Sequence, residues 1–118
     1  MGQSVVALMY GVRESELPND LRDKESGEFI WDGELAWGDQ PRSAYEGDCL
    51  GFKVASSVPD NDEGDLGKTA RAGDLEALHA KFVAKAKKRW KEFAVWLLKE
   101  HGRNLPPADL WITTDERA

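Results

Sequence analysis

From Leu75 onward, apolar residues recur in steps of three and four: Leu75, Leu78, Phe82, Ala86, Trp90, Phe93 and Leu97. Such steps line one face of an α-helix, whereas a strand would repeat every second residue. The flanks agree. Asp74 can accept hydrogen bonds from the first free amides, and Gly102 can take the left-handed conformation that closes a last turn. Lys99 and His101 suit the negative end of the helix dipole, and Pro106-Pro107 forbids continuation. A helix of this length reaches about 40 Å. Four strands spaced about 4.8 Å apart make a much narrower sheet. The helix must therefore run nearly along the strands, overhang the sheet, or pack on a second copy. Trp90, Phe93, Trp96 and Leu97 crowd toward one end and form the expected contact of a homodimer.

The remaining pattern is β-like. Residues 4 to 12, SVVALMYGV, are apolar on both parities, as befits a strand in the middle of a sheet. Residues 13 to 27 form a polar connection in which Leu17 and Leu21, four apart, can drop into the core from one helical turn. In residues 28 to 37 Phe29, Trp31, Leu35 and Trp37 alternate with acids, while Asp32-Gly33 is a hairpin signal. Parity favours a strand and turn chemistry a hairpin; the expectation is a strand pair bent or bulged at Gly33, acids outward. Residues 48 to 57 alternate Leu50, Phe52 and Val54 inward, a turn-rich acidic loop follows from Pro59, and ADLWITT (108 to 114) is a final strand. The order β-β-β-α-β predicts one α+β domain over residues 1–118, an antiparallel sheet of about four strands packed by a single long helix.

Length and composition fit that expectation. A chain of 118 residues with 41% hydrophobic residues and five tryptophans can bury one core. No apolar run approaches the roughly 18 residues of a membrane span, and residues 1 to 12 lack the features of a secretory or myristoylation signal. The sole cysteine, Cys49, lies in an apolar run and suits a reducing cytoplasm. The net charge of −6 conceals an asymmetry: residues 1 to 74 carry 16 acids and 7 bases, residues 75 to 118 carry 6 acids and 9 bases. Such asymmetry marks chains that meet a charged partner.

Motifs with defined chemistry are missing. Asp60, Asp62, Glu63 and Asp65 offer oxygen ligands, but a calcium loop from Asp60 wants glycine sixth and glutamate twelfth, and Asp65 and Arg71 stand there. With two histidines and one cysteine, no zinc pattern forms. Gly67-Lys68-Thr69 resembles the tail of a phosphate loop, yet the earlier glycine is missing at position 62. No metal, cofactor or catalytic residue is expected. On the helix, Lys81, Lys85, Lys88 and Lys99 share one flank and Lys87 and Lys91 the other.

The reading that follows is a small acidic protein-binding protein engaging a basic surface on a macromolecular partner. The expected contact set is Glu28, Asp32, Glu34, Asp39, Glu46, Asp48, Asp60, Asp62, Glu63 and Asp65. Small acidic inhibitors that occlude nucleic-acid-binding sites, phage anti-defence proteins among them, share this size and charge, a likeness of class and not of motif. Two alternatives stand beside it: an enzyme with an unrecognised carboxylate site, and a nucleic-acid regulator using the lysine-rich helix flank. The acidic first half argues against the last, because it repels a duplex.

Overall fold

The computed structural model of the protein describes residues 3–36, 38–43, 49–59, 63–67 and 71–117. Strand β1 (Gln3–Arg13) lies between β3 (Cys49–Ser56) and β5 (Asp109–Arg117), antiparallel to both. Two short strands extend the sheet: β2 (Arg42–Ser43) pairs antiparallel with β3, and β4 (Gly64–Asp65) pairs parallel with its end. The central place of β1 follows from its apolar residues on both parities. Leu8 and Val12 enter the main core with Leu50, Phe52 and Val54 of β3, whereas Ala7 and Met9 join Cys49 and Trp111 in a smaller cluster. The register slips between Leu8 and Met9, which pair with Ala55 and Lys53. Farther along, Gly11 faces Gly51 directly, and a Cβ on Gly51 would stand 2.2 Å from the Tyr10 carbonyl oxygen.

Helix α1 (Leu75–Leu78) and helix α2 (Ala80–His101) realise the long apolar period, with a kink at His79. The hydrogen bonding runs through the kink: His79 N–H donates to Leu75 and Val83 N–H donates to His79. Gly64 of β4 sits so close to the His79 ring that a Cβ there would meet Nδ1 at 2.3 Å. Asp74 precedes the first turn but makes no side-chain cap, against the sequence expectation. The far end closes as expected, with Gly102 at φ 64° and its N–H on the Leu98 carbonyl.

The buried stripe of α2 is Val83, Ala86, Trp90, Phe93 and Leu97. Trp90 meets Tyr10 and Phe52 edge-on, with ring centroids 6.4 and 6.5 Å away. Phe93 is 2% exposed, while Phe82, on the same period, is only half-buried. Phe93→Ala is therefore expected to cost about 3–5 kcal/mol, the range for a truncated core aromatic, and Phe82→Ala clearly less. Urea melts of the two variants check the order; equal midpoints would mean that burial does not set the cost.

One expected element is corrected. Residues 28–36 are not a strand pair. Phe29 makes a single bridge to Arg22, and two successive turns follow, Asp32 N–H donating to Phe29 and Glu34 N–H to Trp31. Local chemistry overrides parity here. The Asp32 carboxylate accepts the Phe29 N–H at 2.9 Å, and Gly33 takes φ 87°, open to glycine without strain. The second strand in sequence is β2 instead. Trp37 lies outside the described residues.

Candidate partner-binding surface

The turns belong to a long connection, residues 14 to 41, between β1 and β2. It holds nine acids and two bases, and 9 − 2 leaves a net of −7, more negative than the whole chain's −6. Among its described residues the only regular pieces are two 3-10 turns, Glu14–Glu16 and Asn19–Leu21. Connections this long without a strand or helix of their own are uncommon in compact domains and mark functional loops when they are ordered.

Apolar anchors order it. Leu21 and Trp31 are 1% and 0% exposed. Trp31 stacks on Phe29 at 4.5 Å and meets Phe93 edge-on at 5.0 Å, so the connection plugs into α2. Trp31 carries a cost as well, because its buried indole N–H has no hydrogen-bond partner. Charged contacts rivet the rim. The Arg22 guanidinium lies 3.9 Å over the Phe29 ring and donates to the Gly27 carbonyl and to Glu14. Asp20 pairs with Arg103 at 2.8 Å, and His101 Nε2 donates to Glu34 at 2.7 Å while its ring lies against Trp96. Asp23 accepts the N–H groups of Ser26 and Glu25, which together hold its carboxyl below the ordinary range.

The expected contact residues thus divide. Glu28 and Asp39 are exposed, and neither carboxylate makes a hydrogen bond or ion pair with another described residue. Asp32 and Glu34 are exposed too, but each holds the connection in shape. Glu63 is set apart, paired with Lys53 at 3.5 Å, and Asp65 accepts the Gly67 N–H at 2.7 Å. Glu46, Asp48, Asp60 and Asp62 lie outside the described residues. Glu16 and Glu25 are further exposed carboxylates of the connection, which the sequence pattern passed over. Only the strand boundaries show that they share one segment with Glu28 and Asp39.

Trp90, Phe93 and Leu97 lie in the chain's own core, and half-buried Trp96 stacks on Phe93 and meets His101 edge-on. At this helix end Phe93 and His101 meet Trp31 and Glu34 of the connection, while Trp90 meets Tyr10 and Phe52 of the sheet. Near β2 a basic pair contrasts with the acid. Burial lowers the pKa of Arg42, and the neighbouring charge of Arg89, whose guanidinium lies over Phe52, lowers it further. Among the described residues no three acids, histidines or cysteines gather as a metal site, and no helix is long and apolar enough to cross a membrane. Comparison with protein-family models, curated proteins and solved structures found nothing similar to this chain.

Proposed function

We propose that residues 14 to 41 are a preformed acidic recognition segment that binds a basic surface on another macromolecule and acts by occluding it. The observation that carries this reading is the concentration of a −7 net charge in one connection that Trp31 and Leu21 anchor in the core. Acid needed only for solubility can be spread anywhere on a surface. Here it sits on a segment whose shape is fixed before binding, which lowers the ordering cost of association. The Cys49 thiol is buried, in keeping with action in a reducing cytoplasm.

The test uses the carboxylates that do not hold the fold. A Glu25→Lys, Glu28→Lys, Asp39→Lys variant should fold normally, since exposed charges change stability by about 0.5 kcal/mol or less each. Immobilised wild-type protein should capture a basic partner from host lysate at low salt and lose it as salt screens the attraction. The variant should capture none. A folded variant that retains the same partner as tightly would reduce the acid to a solubility device.

A further inference from the structure

The exposed side of α2 carries a net charge opposite in sign to that of the connection. Its exposed charges are six lysines against Glu92 and Glu100. At about 100° per residue, Lys81, Lys88, Val95 and Lys99 form its centre line, opposite the buried stripe, with Glu92 on one side and Lys91 and Leu98 on the other. Val95 and Leu98 are 59% and 51% exposed. No described residue pairs with Lys88, Lys91 or Lys99.

We propose that this face docks the acidic 14–41 connection of a second copy of the chain, head to tail. Charge complementarity selects that occupant. The lysine line repels the same line on another copy, so symmetric helix-to-helix pairing is disfavoured. Two apolar side chains among the lysines suit a protein surface better than a phosphate backbone, whose attraction needs charge alone. The connection presents Glu16, Glu25, Glu28 and Asp39 to solvent, and it packs against the buried side of α2, which leaves the lysine face clear. Such a contact is heterologous: each copy offers both halves, so growth stops only if a ring closes. This inference rests on the reading of the connection as a recognition segment. It adds that the lysine face occupies that segment as a basic partner would, so that self-association and partner binding compete.

Sedimentation at rising protein concentration tests it, with two variants. One is the Glu25→Lys, Glu28→Lys, Asp39→Lys protein; the other is Lys88→Glu, Lys91→Glu. The wild type should associate at low salt and dissociate at high salt. Each variant alone should sediment as a monomer, and mixing the two should restore a complex, because new lysines on one meet new glutamates on the other. A wild type that stays monomeric at every concentration, or an association that survives both variants, overturns the proposal. So does tight binding of a short DNA or RNA duplex that is lost in the helix variant, which would give the face to nucleic acid. The helix variant retains every carboxylate of the connection and should still capture the basic partner. A wild type that stays monomeric yet captures the basic partner fails this contact alone, whereas a wild type that captures none fails the partner-binding reading.

Discussion

Replacing Trp31 with alanine is expected to cost about 3–5 kcal/mol, the range for deleting a fully buried aromatic, and to free the acidic connection from α2. Against a total stability of about 5–15 kcal/mol the variant should be marginal. The loss reaches past the side chain. Trp31 sits between Phe29, on which it stacks, and Phe93, which it meets edge-on, so its removal opens the stretch bearing Glu34, whose bond to His101 depends on that stretch staying in place. Trp31→Phe should lose far less. It keeps a ring against Phe93 and removes the buried N–H that has no partner, a group that costs about 1–3 kcal/mol to leave unsatisfied. Denaturant melts of both variants, with protease susceptibility of the 14–41 segment, provide the check. Matching midpoints for alanine and phenylalanine would show that the ring does not anchor the connection.

The second large effect lies where β1 and β3 come closest. Gly51→Ala places a methyl 2.2 Å from the Tyr10 carbonyl oxygen, and Gly11→Ala places one 2.0 Å from the Leu50 carbonyl oxygen. Both obstacles are backbone, so no rotamer change relieves them. The strands must part, and the expected loss is about 3 kcal/mol, at the upper end for overpacking, or roughly 10–20 °C in Tm for a chain of this size. Gly73→Ala serves as control, since its added methyl meets nothing within 4 Å. Calorimetry on the three variants decides. A melting temperature for Gly51→Ala that coincides with the control would mean the sheet yields without cost.

The helix was legible from its three- and four-residue period, β3 from its alternation, and β1 and β5 from apolar, β-rich runs long enough to cross a sheet. Residues 28–36 were not, because two signals of similar strength overlapped there. Parity gave the correct burial for Trp31 and the correct exposure for Glu28, Asp32 and Glu34, but the wrong backbone. Strand pairing needs a neighbouring strand, and the sequence does not reveal that β1 turns to β3 and β5 instead. Strand β2 escaped notice because two residues cannot display a period. The candidate surface was half legible for a similar reason. Acid content is visible in the sequence, whereas the distinction between Glu28, whose carboxylate holds no turn, and Asp32, whose carboxylate does, exists only after the chain has turned.

The place of β1 also governs the order in which the molecule can assemble. Its partner β5 lies far along the chain: the Trp111 indole N–H donates to the Gly11 carbonyl across 100 residues, whereas α2 forms from neighbours four apart. Closing so wide a span has a modest equilibrium cost, since loop entropy rises by only about 0.6 kcal/mol per doubling of length, but non-local pairing slows the search. Until β5 arrives, β1 presents one unpaired edge and a row of apolar side chains on each parity. The interval between synthesis of β1 and arrival of β5 is therefore when this chain is most open to pairing with the wrong strand.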